Sequence, residues 1–248
     1  DTVRSRCRTF RACYGPCRYG RPVAPRTPAR VPTLELEHRL LSDGCTRLGA
    51  MDEVGRGALG GPVTVGLVVV DATVTEPVEG VRDSKLLSAS ARESFVPVVQ
   101  AWARAYGVGH ASAAEVDEWG IVGALRLAGH RALGAAAQTG PPPDAVLLDG
   151  SHDWLTVPDP PELLSPDLGG VEAPPVTTQV KADMDCAAVA AASVLAKVER
   201  DALMVALAEQ YPDYGWDSNK GYGSPPHLEA IRQLGPCVEH RRSWKLPT

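Results

Sequence analysis

The sequence predicts an α/β fold. Three observations carry that prediction. Runs rich in β-branched residues alternate along the chain with segments of helical period. The run PVTVGLVVVD at 62–71 reads as a strand. AAVAAASVLAKV at 187–198 belongs to a long helix whose small residues permit close packing on a sheet. With 248 residues, 44% of them hydrophobic, the chain can bury a real core, which excludes wholesale disorder. The 24 glycines and 22 prolines follow no repeat, so collagen-like and solenoid architectures are excluded too. No run approaches the ~18 apolar residues of a membrane span, and a soluble protein is expected.

Taken in order, residues 1–33 are expected to be a basic, disordered arm, because Arg, Pro and Gly recur there without an apolar period. Leu34 to Leu41 can form a short opening helix, and the folded chain is expected in earnest from Thr46. Leu48 to Met51 ends in Asp52 and Glu53, then comes the turn Gly55-Arg56-Gly57, then the strand 62–71. Ser88 is a plausible cap for a helix over 89–103, and 105–110 reads as a third strand. Two helical segments follow, 113–120 and 121–137, the second with Leu125, Ala128 and Leu133 on its apolar face. Ala145 to Leu148 is a short apolar strand ending in Asp149-Gly150. The proline-rich, acidic stretch 151–175 reads as a surface loop or a poorly marked hairpin. A strand over 177–180, a long helix over 186–209, an irregular aromatic and glycine loop over 211–222 and a short helix over 227–234 complete the chain.

Charge is unevenly spread. The chain carries −5 overall, yet residues 1–30 hold eight arginines and one acid, so the body is strongly acidic. An acidic body is a poor bare platform for a polyanion unless some carboxylates hold divalent cations. Six cysteines spread over the whole length form no disulfide framework, and nothing at the N-terminus resembles a signal peptide, so the reducing cytoplasm is the expected compartment.

Four acids occupy places where chemistry is conceivable. Asp52 and Glu53 end an apolar segment, Asp149 ends a strand, and Asp183 lies between a strand and the alanine-rich helix. At one sheet edge such acids would repel one another unless a cation neutralised them. Oxygen ligands without nearby histidines favour Mg²⁺ or Mn²⁺ over Zn²⁺. Each acid taken alone is equally a turn residue or a helix cap. The GRG turn lacks the GxGxxG pattern and the lysine of a phosphate-binding loop, so nucleotide-cofactor binding is not expected; its glycines either make a tight turn or let backbone groups approach a ligand.

Five blocks turn these fragments into a pattern: MDEVGRGALGGPV at 51–63; Asp83-Ser84-Lys85-Leu86; Leu-Asp-Gly at 148–150; KAD at 181–183 with AAASVLAKVERD at 190–201; and YPDYGWDSNKGYGSPPHLEAIRQLGP at 211–236 with HRRSW at 240–244. In this order they closely resemble the type 2 ribonucleases H, the bacterial ribonuclease HII family. The resemblance implies a ribonuclease H-like α/β fold, a mixed central sheet flanked by helices. It divides the chain into a catalytic domain over 34–210 and a C-terminal substrate-binding loop and helical segment over 211–248.

It further implies that Asp52, Glu53, Asp149 and Asp183 are the catalytic, metal-holding acids, with two Mg²⁺ or Mn²⁺ ions in the substrate complex; Asp183 would arrive from the start of the long helix, whose N-terminus would offset some of the carboxylate repulsion. Gly55, Arg56 and Gly57 would read the 2′-hydroxyl of a ribonucleotide, and Tyr222 would stack on the sugar of the deoxynucleotide that follows. Lys85, Lys181 and Lys220 are candidate phosphate contacts, and Arg241 and Arg242 can join Lys220 in a DNA-facing surface. Lys197 and Arg200 are expected on a solvated or ion-paired face, Trp216 and Trp244 in packing, and Asp185 as a helix cap. The implied reaction is hydrolysis 5′ of ribonucleotides in RNA–DNA hybrids and of single ribonucleotides embedded in duplex DNA. A monomer is expected; recruitment by a sliding clamp is left open. The alternative class is a non-catalytic nucleic-acid-binding protein whose carboxylates are structural.

Overall fold

The computed structural model describes residues 30–158, 166–170 and 172–247. Most of the expected basic arm and part of the 151–175 stretch lie outside the described residues.

Five strands form one mixed sheet in the order β3-β2-β1-β4-β5. Strands β1 (Arg47–Val54), β2 (Val63–Asp71) and β3 (Ala105–Ala111) make an antiparallel meander. Strands β4 (Ala145–Asp149) and β5 (Val176–Gln179) add parallel to β1 and to each other. The expected class and nearly every expected element are present.

Two apolar faces follow from strand alternation. Leu48, Ala50, Val68, Val70 and Leu147 face the long helix α5 (Ala187–Gln210), with α2 (Ala89–Trp102) and α1 (Glu35–Ser42) beside it. Met51, Leu67, Val69, Val146 and Leu148 face α3 (Ala113–Ala136). Helix α5 rides directly on β2: a Cβ at Gly66 would stand 2.3 Å from the carbonyl oxygen of Ala192. Helix α2 is capped by Ser88 as expected, its hydroxyl accepting from the Ala91 amide at 3.2 Å. Helix α3 breaks its helical dihedrals at Gly120 (φ 68°, ψ 170°), the boundary expected between two helical segments.

Three expectations are corrected. Folded chain begins by Thr33 rather than Thr46: Thr33 pairs with Cys186, and α1 buries Leu34 together with Glu37. The 151–175 stretch sends Trp154 and Leu155 into the core on the α3 face, so part of it is interior. Asp183 lies not on the long helix but on a separate single turn, α4 (Ala182–Asp185). Cys186 is extended (φ −112°, ψ 122°), which ends α4 and lets α5 start afresh.

The C-terminal segment closes over the end of α5. The short α6 (Trp216–Asn219) and α7 (Pro225–Leu234) gather Trp216, Tyr214 and Ile231 against Met204 and Ala208.

Candidate active site

The site is built at one end of β1 and β4. Met51 and Leu148 are the last paired positions of these parallel strands, so Asp52 and Asp149 follow side by side. By alternation both point to the α5 face. The Asp149 carboxylate accepts from the Ala182 amide at 2.7 Å, which draws α4, and Asp183 with it, onto the end of β4.

Electrostatics ties the acids together. Asp52 is only 5% exposed. Burial, then the charges of Glu53 and Asp149, push it well above the ordinary carboxylate range; Asp183 adds to this and Lys85 opposes it. Asp183 is raised by burial and by Asp149 and Asp83, again against Lys85. Glu53 is raised by burial, although its Oε1 accepts from Arg56 Nη1 at 3.1 Å. Glu53 Oε2 is buried without a hydrogen-bond partner among the described residues.

Lys85 is the cation the chain itself supplies. Its Nζ lies 3.3 Å from Asp183 and 3.6 Å from Asp83. Burial alone would depress its pKa, but Asp52, Asp83 and Asp183 raise it, so the ammonium form is held. Its turn is pinned from below. The Ser84 amide donates to Ser193 Oγ at 3.1 Å, and Arg92 donates to the carbonyls of Ser84 and Leu87 at 3.0 and 2.7 Å.

An all-oxygen set with an orphaned buried Glu53 oxygen and two acids held against their preferred ionisation suits a hard divalent cation by its chemistry. Among the described residues, no three His, Cys, Asp or Glu side chains are drawn close enough to enclose an ion.

Beside the acids, two loops meet. The Gly55 amide donates to the Tyr222 hydroxyl at 3.2 Å. Gly55 has φ +83°, and a Cβ there would fall 2.1 Å from Arg200 Nε, so the position demands glycine. Two fully buried arginines hold the pair of loops. Arg200 donates to the carbonyls of Pro62, Gly60 and Lys220. Arg241 donates to those of Gly55, Arg56 and Gly61. The Arg200 guanidinium also lies over the Tyr222 ring, 5.4 Å from its centroid. Tyr222, 37% exposed, and the open space above Gly57 leave a face for a ligand.

The structure thus brings Asp52, Glu53, Asp149, Asp183 and Lys85 into one electrostatic cluster, and Gly55 with Tyr222 into a second surface. Arg56 links the two through Glu53. Lys181, at φ 61° in the turn before α4, is exposed. Lys220 directs its ammonium to the Asp217 carbonyl on its own loop.

Several expectations change. Arg241 is buried and so is not a DNA-facing group, and Arg200 is interior rather than on a solvated face. Lys197 is ion-paired with Asp201 at 2.7 Å as expected. Asp185 does not cap α5; it pairs with Arg30 at 2.8 Å. Nor does the start of α5 face the acids, since the amides of Ala187 and Ala188 donate to the Thr33 carbonyl and to Glu37. Trp216 and Trp244 pack as expected, the latter under Arg241 at 4.9 Å.

Sequence reasoning missed Asp83, the buried arginines and the histidines His227 and His240. A signal for Arg200 existed. It stands in a row spaced four residues apart, Ala188, Ala192, Ala196, Arg200, Met204 and Ala208, every other member of which is apolar and buried.

Comparison with known proteins adds a second line. The family described as Ribonuclease HII matches residues 49–247. A ribonuclease HII of Streptomyces coelicolor is 41% identical over 218 residues, covering 88% of this chain and 85% of that protein. One from Nitrosococcus oceani is 44% identical over 199 residues, covering 80% and 89%. Among solved structures, the ribonuclease HII of Archaeoglobus fulgidus, solved as a complex with PCNA, aligns with a TM-score of 0.60 at 26% identity, covering 81% of this chain and 96% of that one. The ribonuclease H2 of Pyrococcus horikoshii OT3 has the same TM-score at 24% identity, covering 81% and 94%, a likeness of fold.

Proposed function

The chain belongs to the ribonuclease HII family, and from that premise we propose that it is a metal-dependent endonuclease acting on ribonucleotides paired with DNA. Its substrates are RNA–DNA hybrids and duplex DNA carrying single ribonucleotides. The bond broken joins the phosphorus to the O3′ of the preceding nucleotide. Water supplies the new oxygen, leaving a 5′-phosphate on the ribonucleotide and a 3′-hydroxyl upstream.

One observation carries this reading: the repelling carboxylates of Asp52, Asp149 and Asp183 lie beside a pair of loops joined by the Gly55–Tyr222 hydrogen bond. In this reading Asp52, Glu53, Asp149 and Asp183 hold two Mg²⁺ or Mn²⁺ ions. Bound there, the ions would lower the pKa of water and stabilise charge on the leaving oxygen.

The chain's own groups do the rest. The main chain of Gly55, Arg56 and Gly57 tests the 2′-hydroxyl, the group that separates RNA from DNA. The Tyr222 ring packs on the next sugar, where a second hydroxyl would clash. Lys85, already balancing the acids, and the exposed Lys181 meet backbone phosphates. Lys220 would add a phosphate contact on turning from Asp217. The PCNA complex of the Archaeoglobus protein makes a sliding clamp a partner worth testing here. No described helix is long and apolar enough to cross a membrane.

The test is cleavage of end-labelled duplex DNA containing one ribonucleotide, with Mg²⁺, Mn²⁺ or excess chelator, beside an all-DNA duplex and a long hybrid. A metal-dependent nick 5′ of the ribonucleotide is expected, absent in Asp149→Asn and in plain DNA. Binding of both ribonucleotide substrates without cleavage by metal-loaded protein would sink the enzyme reading and leave a nucleic-acid-binding protein.

A further inference from the structure

Behind Tyr222 lies a buried pair of histidines that the chemistry above does not use. His227, in the first turn of α7, is 0% exposed, and His240 is 1% exposed. His227 Nδ1 stands 2.8 Å from the carbonyl oxygen of Tyr222. His227 Nε2 stands 3.0 Å from Trp216 Nε1 and 3.1 Å from His240 Nε2. His240 Nδ1 meets the Cys237 amide at 3.1 Å and the Cys237 thiol at 3.2 Å.

These partners dictate the protons. A carbonyl oxygen only accepts, so His227 carries its hydrogen on Nδ1 and donates to Tyr222. An indole N–H only donates, so His227 Nε2 is bare and accepts from Trp216. The Cys237 amide likewise requires a bare Nδ1 on His240, which puts the His240 hydrogen on Nε2, aimed at His227 Nε2. Two neutral rings in fixed tautomers fit these partners, the one lone pair of His227 Nε2 being shared between the Trp216 and His240 donors. Tyr214 meets the His240 ring edge-on at 4.6 Å, and Trp216 stacks against Tyr214. Burial depresses both histidines, His240 to about 4 with help from His227 and Arg242, so both rings stay neutral at neutral pH.

Both ends of this network reach the ligand-facing loops. Tyr222, gripped at its carbonyl by His227, receives the Gly55 amide at its hydroxyl. His240 bridges antiparallel to Gly60, with the Gly61 amide donating to the Glu239 carbonyl at 2.8 Å and the Arg241 amide to that of Leu59 at 2.9 Å. The contacts close a loop from the glycine turn through Tyr222, His227 and His240 back to the glycine turn.

We propose that His227, held in one tautomer by His240, is a positioning residue that sets Tyr222 against Gly55, and so sets how strictly a deoxynucleotide is required after the ribonucleotide. The part concerning substrate rests on the function proposed for Tyr222; the part concerning Tyr222 and Gly55 does not.

Two isosteres separate positioning from packing. His227→Asn places an amide N–H where Nδ1 stands and keeps a donor for the Tyr222 carbonyl. His227→Gln places its amide where Nε2 stands, keeping the contacts to Trp216 and His240 while losing that donor. Amide exchange at Gly55, measured by NMR without substrate, is expected to quicken about tenfold in His227→Gln, the fold-change of one ordinary hydrogen bond, and to stay within about threefold in His227→Asn. The ratio of kcat/KM for a ribonucleotide followed by DNA over one followed by RNA is expected to fall about tenfold in His227→Gln, and by less than about twofold when Tyr222 is already alanine.

Unchanged Gly55 exchange in a folded His227→Gln protein would overturn the proposal. So would equal loss on both substrates, a full added effect in the Tyr222→Ala background, or a greater loss in His227→Asn than in His227→Gln, as simple packing would give. If the unaltered protein cleaves neither duplex, the ribonuclease reading fails, while Gly55 exchange still decides whether His227 positions Tyr222.

Discussion

The Gly55 amide donates to the Tyr222 hydroxyl across 3.2 Å, joining two loops separated by 167 positions in the chain. Neither loop makes this surface alone: Gly55 supplies a backbone donor in a conformation closed to other residues, and Tyr222 supplies an exposed ring. The acids lie next to it through the Arg56–Glu53 pair, so under the proposed function recognition and chemistry would share one short stretch of β1 and the turn after it.

Asp149→Asn is expected to lower cleavage on the order of 10³-fold or more, because the amide keeps the shape but loses the charge. Its oxygen can still accept from the Ala182 amide, so the thermal midpoint should hold. Activity and thermal melts on the same preparation check this; a large drop in midpoint would make Asp149 a fold-holding residue instead.

Metal-dependent stabilisation is expected to grow with pH. Asp52, Glu53 and Asp183 all have folded-state pKa values raised above their ordinary range, chiefly by burial. The folded state therefore binds protons more readily than the unfolded one, and their contribution to stability falls as pH rises from the ordinary carboxylate value through the raised one. Divalent ions compete with those protons. The rise in Tm on adding Mn²⁺ should thus increase through this window and flatten in Asp52→Asn; a pH-independent rise would contradict it.

The two glycines of the turn should separate fold from recognition. At Gly55 a Cβ would strike Arg200 at 2.1 Å with φ at +83°, and Gly55→Ala should cost more than about 2 kcal/mol. At Gly57 a Cβ meets nothing within 4 Å, so Gly57→Ala should stay within about 0.5 kcal/mol in urea unfolding yet weaken binding of the ribonucleotide duplex.

Arg241→Met removes the donors to three loop carbonyls and leaves those groups buried. A loss of about 3 kcal/mol is expected, together with loss of ribonucleotide selection. Arg241→Lys should recover little, because one ammonium cannot reproduce the planar fork. Full rescue by lysine would show that charge alone matters there.

Acid should destabilise the C-terminal segment through His240. Its folded pKa is about 4 against an ordinary 6.5. As pH falls below the ordinary value, the unfolded chain gains a proton that the folded one refuses, and stability is lost until about pH 4, a penalty on the order of 3 kcal/mol. Asp52, Glu53 and Asp183 trend the opposite way, while Asp71, Glu115, Asp117 and Asp144, held below the ordinary carboxylate range, trend the same way, so the comparison is between the unaltered protein and His240→Asn. Urea midpoints across pH 4 to 7 should differ in slope; parallel curves would contradict the depressed pKa.

Much of the fold was legible because strand and helix patterns are local. The β-branched run at 62–71, the Ser88 cap and the break at Gly120 each depend on neighbours within a few residues, and each stands where expected. The acids were legible too: three end or follow strands, and strand ends in a parallel pair converge without help from distant residues. The opening helix was undervalued because its core contacts, Glu37 to the Ala188 amide among them, come from 151 positions away.

The sequence by itself determined the α/β class and the order of elements, and it singled out the acids and the glycine turn as candidates, since these are properties of short segments. Only the tertiary structure decided which charges are interior. Arg241 reaches Gly55 across 186 positions and Arg200 reaches Gly60 across 140, so two arginines that read as surface charge became the frame of the site. The same holds for His227 and His240, whose tautomers follow from Tyr222, Trp216 and Cys237 rather than from anything beside them in the chain. Burial raises the cost of every unpaired polar group, and which partners satisfy it depends on where distant segments pack.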